Sequence, residues 1–254
     1  RVRWDDLAKP LGSLGLLEQA IGQIAAITGS PEVTLERRAL AVLCADNGVV
    51  AQGVTQADSS VTAAVARALG AGESTVCHMA RPARCQVIPV DMGILDFSGA
   101  PGVLDRRVQN GTGDITKGPA MSRQACIQAV ETGADLAREL KEQGFHILAT
   151  GEMGIGNTTT ASAVVSVLLH LPPRRVTGRG AGLCDAGLER KVRAVETAIS
   201  VNRPDGNDPL DVLAKVGGLD LAGLCGLFLG GARYGLPVVA DGLISSAAAL
   251  CAIR

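Results

Sequence analysis

Short apolar, β-branched runs alternate along this chain with longer helical patterns, and that alternation restricts the fold more than any other feature. The segments RALAVLCADNG (38–48), CQVIPVDMG (85–93), FHILATGEMG (145–154) and LPVVADG (236–242) each read as a buried strand. Amphipathic segments occupy 13–28, 60–80, 122–143 and 184–200 between them. Strand–helix alternation implies right-handed crossovers and a mainly parallel sheet, so the expected class is α/β with helices flanking the sheet. Ser122 is placed to cap the helix that follows it. Residues 202–209 (NRPDGNDP) form a turn between helices, and Asp96–Gly113 is the softest stretch. The opening WDDLAKPLGSLGLLEQA reads as a helix end, a turn broken by Pro and Gly, and a new helix.

A chain of 254 residues buries on the order of 70–75 % of the surface its unfolded form exposes. Aromatics supply only 2 % of it, so Ala, Val, Leu and Ile must fill the core. Glycine is abundant, at 32 residues, and small side chains let backbones approach one another and a ligand closely. A general compositional bias toward Ala and Gly accounts for part of the same pattern. The net charge of −1 offers a nucleic-acid backbone no electrostatic footprint, and one Trp, one Tyr and three Phe give few stacking platforms. Seven widely spaced cysteines without a C-x-x-C pair indicate neither a disulfide framework nor a zinc site. They suit a reducing, cytoplasmic setting, and the absence of a run of 18 apolar residues argues against a membrane span.

Candidate functional residues collect where strands end. Asp46, Asp91, Glu152 and Asp241 all fall at or near the carboxyl ends of the four expected strands, where open α/β sheets bind ligands. An acidic residue there serves equally well to cap the next helix. Thr150–Thr160 (TGEMGIGNTTT) bends through glycines into an apolar helix, a geometry that presents N–H groups and hydroxyls to an anion. The competing reading is a Gly-rich turn with a Thr cap. Neither a Walker A loop nor a dinucleotide fingerprint is present. In Thr177–Lys191 (TGRGAGLCDAGLERK), Lys191 lies where it can reach back over an anion, although a helix lysine taken alone is more often a solvated one. Asp241-Gly242 follows the last expected strand and precedes a helix of small residues.

Several motifs occur in one order: LAKPLGSLGLLE, CADNGV (44–49), VDMGI (90–94), GPAMSRQAC (118–126), GEMGIGNTT (151–159), GRGAGL (178–183), DPLDVLAKVGG (208–218) and GLPVVADGLISSAAAL (235–250). In this order the chain resembles the nicotinate-nucleotide:dimethylbenzimidazole phosphoribosyltransferases along its whole length. The resemblance implies a Rossmann-like fold over 31–254, with a small helical arm or subdomain over 1–30. It implies a pentosyltransferase that moves phosphoribose from nicotinate mononucleotide to 5,6-dimethylbenzimidazole, giving α-ribazole 5′-phosphate and nicotinate. It further implies a homodimer that needs no metal or cofactor. Carried over by motif, Glu152 lies beside the ribose and the aromatic base. Gly154, Gly180 and Lys191 hold the 5′-phosphate, and Asn157, Thr158, Asp241 and Gly242 shape the ribose and nicotinate side. Asp46, Ala57 and Val65 fall in the segments that face the base.

The sequence also departs from the family pattern. The family's general-base glutamate belongs to an RLGEGSGA-like motif beyond the position of Arg254, and that motif is not among these residues. The expectation is therefore either a transferase without that glutamate and with an incomplete helical subdomain, or a non-catalytic phosphoribosyl-ligand binder or subunit of the same family that needs a partner to supply its base. The usual ADHGV reads Ala45-Asp46-Asn47-Gly48-Val49, which replaces a titrating group by an amide. Ala57 and Val65 stand where some relatives carry Ser and Gln, which leaves the identity of the accepting base open. His78, His146 and His170 match no family site and are expected to be structural or superficial.

Overall fold

The computed structural model describes residues 2–254. Its sheet has five strands: β1 (Arg38–Ala45), β2 (Cys85–Gly93), β3 (Leu104–Asp105), β4 (Ile147–Met153) and β5 (Val238–Val239). They run in the order β3-β2-β1-β4-β5, with every pair parallel. Helices α1 (Val2–Asp5) and α2 (Leu16–Thr28) precede the sheet. Helices α3 (Ser60–Gly70) and α4 (Thr75–Ala80) connect β1 to β2, and α5 (Arg123–Glu142) leads into β4. After β4 come α6 (Asn157–Leu168), α7 (Pro173–Val176), α8 (Asp185–Asn202), α9 (Pro209–Val216) and α10 (Leu219–Tyr234), and α11 (Leu243–Ile253) follows β5.

A parallel sheet must be covered on both faces, and β1 shows how this sequence achieves it. Ala39, Ala41, Leu43 and Ala45 face the larger core, which is closed by α5, α6 and α8 to α11. Val42 and Cys44 alternate with them and face a smaller core under α3 and α4. The scarcity of aromatics is met by bringing helices together almost backbone to backbone. A methyl group built on Gly133 of α5 would stand 1.9 Å from the carbonyl oxygen of Gly223 on α10. One built on Gly226 would stand 1.9 Å from the carbonyl of Val130. Five of the seven cysteines are buried as small core side chains, Cys85 is half-buried, and Cys184 is exposed at the start of α8.

Several local expectations change. The segment 60–80 is two helices, because Gly72 takes a φ of +74° and Ser74 then caps α4, accepting from the Cys77 N–H. Ser122 caps α5 as expected, accepting from the Ala125 N–H at 3.1 Å. The soft stretch 96–113 contains a two-residue edge strand, β3. Residues 236–242 pair only through Val238 and Val239, at the sheet edge, where Val239 is 48 % exposed. Helix α2 buries none of its residues. Among the described residues no helix is long and apolar enough to cross a membrane.

Candidate active site

The sheet changes direction between β1 and β4: the chain leaves β1 for β2 on one side and leaves β4 for β5 on the other. Loops following these two strands therefore diverge and open a crevice at their carboxyl ends, the usual ligand position in such folds. Gly154 lies in the floor, and a methyl group there would meet the Ala45 carbonyl at 2.3 Å. Gly156 follows with a φ of +94°, a left-handed turn that starts α6 and brings Asn157 and Thr158 to its first turn.

Lys191 closes this crevice from α8. It is 1 % exposed, and its Nζ donates to Thr158 Oγ1 at 2.6 Å. The solvated-lysine reading thus fails, since the side chain runs through the core to reach the N-terminus of α6. Burial drives its pKa down to about 8, because the charged form loses water. Gly180 arches over the pair with φ +55°; a methyl group there would lie 3.1 Å from Thr158 Oγ1 and 3.2 Å from Lys191 Nζ. Gln56 holds the loop down by donating to the Gly182 carbonyl at 2.7 Å. The half-open cavity, about 210 Å³, is lined by Gly154, Asn157, Thr158, Gly180 and Lys191, with Ala57 and Arg179 at its wall. A buried ammonium, a hydroxyl and a helix N-terminus beside this small hollow suit a phosphate-sized anion.

Glu152 faces a different space. With Val42, Val65, Leu69, Val76 and Met153 it lines a mainly apolar groove of about 440 Å³ that Glu73, Ser74 and Thr75 also border. Burial, followed by the charges of Asp220 and Asp241, pushes its carboxyl up to about 7. A carboxylate half-protonated near neutrality beside an apolar groove can exchange a proton with a flat heterocycle held there.

The remaining expected residues are placed unevenly. Ala57 and Val65, expected together at the base, line separate cavities. Asp46 is fully buried; it continues the sheet pairing through its N–H to the Gly93 carbonyl, and its carboxylate accepts from the Leu95 N–H at 2.9 Å. It lines neither cavity, because it extends the central strand and turns its side chain inward. Asp91 is likewise structural, bound to Arg107 and to the Ile94 N–H, each at 2.8 Å. Asp241 and Gly242 are exposed beyond β5 and line neither cavity, although the charge of Asp241 acts on Glu152. Of the three histidines, His78 is exposed, His146 accepts from the Arg37 N–H, and His170 borders a groove behind α6. Sequence reasoning missed Asp220, whose only signal was one acid in the apolar run LDLAGLCGLFL.

The family model described as a phosphoribosyltransferase matches residues 1–254. The chain belongs to that phosphoribosyltransferase family. A relative from Ruminiclostridium cellulolyticum is 48 % identical over 252 residues, covering 99 % of this chain and 72 % of the relative. Another, from Acetivibrio thermocellus, is 46 % identical with the same coverage. Both are named nicotinate-nucleotide–dimethylbenzimidazole phosphoribosyltransferase. The crystal structure of CobT from Thermus thermophilus superposes with a TM-score of 0.93 at 40 % identity, covering 99 % of this chain and 76 % of that one.

Proposed function

We propose that this chain transfers phosphoribose from nicotinate mononucleotide to 5,6-dimethylbenzimidazole or a related base. The observation that carries the reading is buried Lys191 bound to Thr158 beneath Gly180, a costly arrangement in the absence of an anion. In this reading the 5′-phosphate enters the small cavity and is held by Lys191, Thr158 and the Gly154 and Gly180 backbones. The bond between C1′ and the pyridinium nitrogen breaks, nicotinate keeps the electron pair, and the ring nitrogen of the base forms the new bond to C1′ from the opposite face. Positive charge gathers on the sugar as nicotinate leaves, and Glu152 in its ionised form stabilises it. The proton released from the base N–H needs an acceptor, and near neutrality Glu152 is able to hold it. Fixing the phosphate makes the attack a matter of position rather than collision.

Residues 1–30 are proposed as an arm apart from the main domain 31–254, supported by the lack of buried residues in α2. A homodimer in the cytoplasm, working without metal or cofactor, completes the proposal. The test is nicotinate release, with chromatography of the ribosylated base, when the protein meets both substrates. Formation of α-ribazole 5′-phosphate supports the reading. If nicotinate mononucleotide fails to bind, the reading is wrong at its root; if it binds without turnover, the chain is a phosphoribosyl-ligand binder.

A further inference from the structure

The roof of the anion cavity is built differently from its floor. Residues 178–182 are all exposed, and Gly180 and Gly182 among them take φ values of +55° and +102°. This flap is anchored at both ends. Thr177 is buried and donates to the Pro173 carbonyl at 2.8 Å, and Leu183 is buried just before α8. Arg179 ties the flap to itself, its guanidinium donating to the Leu183 carbonyl at 2.9 Å. Among the described residues, one hydrogen bond joins the flap to a segment outside 177–185. It comes from Gln56, whose Nε2 donates to the Gly182 carbonyl at 2.7 Å.

Gln56 belongs to a segment fixed to the body of the protein. Val49 and Val54 are buried in the larger core, and Gln52 donates to Asp114 Oδ2 at 2.7 Å. Arg190 of α8 adds a bond from its Nε to the Gly53 carbonyl at 3.2 Å. The contact therefore joins a fixed donor to an exposed glycine strap. Beneath that strap, a methyl group on Gly180 would lie 3.1 Å from Thr158 Oγ1 and 3.2 Å from Lys191 Nζ. The height of the flap thus sets the depth of the cavity at its two donors, and the Gln56 amide sets the height of the flap. A single exposed hydrogen bond is weak enough to break and re-form as a ligand passes.

We propose that Gln56 is a positioning residue: its amide latches the flap 178–182 over Lys191 and Thr158 and slows the release of a phosphorylated ligand. This rests on the reading of the cavity as the 5′-phosphate site of a phosphoribosyl donor. Gln56 also lines the cavity, so the latch is separated from direct contact with a ligand by measuring it first in the empty protein.

Hydrogen exchange of residues 180–183 in the ligand-free chain, read by mass spectrometry, tests the latch. Gln56→Ala removes the donor, and Gln56→Glu sets a carboxylate against the Gly182 carbonyl. Both should speed exchange of this segment about five-fold, the worth of one hydrogen bond, and leave β1 and α6 unchanged. Gln56→Lys restores a donor and should return the protection. In stopped-flow experiments nicotinate mononucleotide should leave the Ala and Glu variants about five-fold faster, with its association rate nearly unchanged. Unaltered exchange in the folded Ala and Glu variants overturns the proposal. So does faster exchange with unaltered release of the nucleotide. A native chain that ignores the nucleotide yet binds inorganic phosphate, and loses it faster in both variants, sinks the transferase reading and leaves the latch standing. Binding of neither probe overturns both.

Discussion

Replacing Lys191 by Met separates what the site needs from what the fold needs. The lysine is held at about 8 instead of 10.5 because it is buried. At about 1.4 kcal/mol per unit, its charged form costs the empty protein about 3 kcal/mol. Losing the hydrogen bond to Thr158 takes back about 1 kcal/mol. Methionine fills nearly the same space, so Lys191→Met should stabilise the ligand-free protein by about 1–2 kcal/mol at pH 7. For a chain of this length that raises Tm by about 3–6 °C. The sign follows from linkage: below about 8 the unfolded chain binds the lysine proton more tightly, so the penalty is complete there. It fades as pH rises from 8 towards 10.5, and the two proteins should converge. Calorimetry at pH 7 and pH 10, with and without nicotinate mononucleotide, reads all of this. The nucleotide should stabilise the native chain and leave the Met variant almost unchanged. A Met variant that is less stable at pH 7 when empty, or that gains as much from the nucleotide, would refute the reasoning.

Glu152→Gln should lower turnover by about 10²–10³-fold while leaving nicotinate mononucleotide affinity within a few-fold, as steady-state kinetics and calorimetric binding would show. Equal losses in both would count against a role in the transition state. Glu152 and Asp220 are both raised, to about 7 and about 6, so the folded chain binds their protons more tightly than the unfolded chain does. Their contribution to stability is present below the ordinary carboxylate range and is lost as pH rises through 6 to 7. Urea midpoints at pH 5 and pH 8 should therefore differ, and the gap should narrow in Asp220→Asn. Gly154→Ala places a methyl group 2.3 Å from the Ala45 carbonyl and should cost about 3 kcal/mol or more with loss of binding, measured by urea unfolding. Gly226→Ala should cost a similar amount through the α5–α10 seam and lower Tm even when nicotinate mononucleotide is bound.

The order of elements and the parallel sheet were legible because β1 and β2 are continuous apolar runs and α5 carries a cap and an amphipathic face. Helix α10 was not, since it is buried on nearly every side and leaves no polar stripe to reveal a helical period. The strand at 236–242 reads too long in the sequence because apolar character does not distinguish a paired edge residue from a chain leaving the sheet. The glycine turn into α6 at Gly154, Asn157 and Thr158 was visible because glycines before a helix have a local signature. Lys191 was ambiguous for the opposite reason: its burial depends on loops brought from three distant segments, and a helix sequence carries no mark of that. The burial of Asp46 was not legible, because an acid after a strand reads alike whether it faces a cavity or turns inward.

The exposure of Cys184 has a practical consequence. It stands at the first turn of α8, next to the glycine loop that covers Lys191, while five other thiols are sealed in the core. A maleimide dye should react there first in the native chain, with no engineered cysteine. Its emission would then report directly whether the loop over Lys191 closes when a phosphorylated ligand arrives.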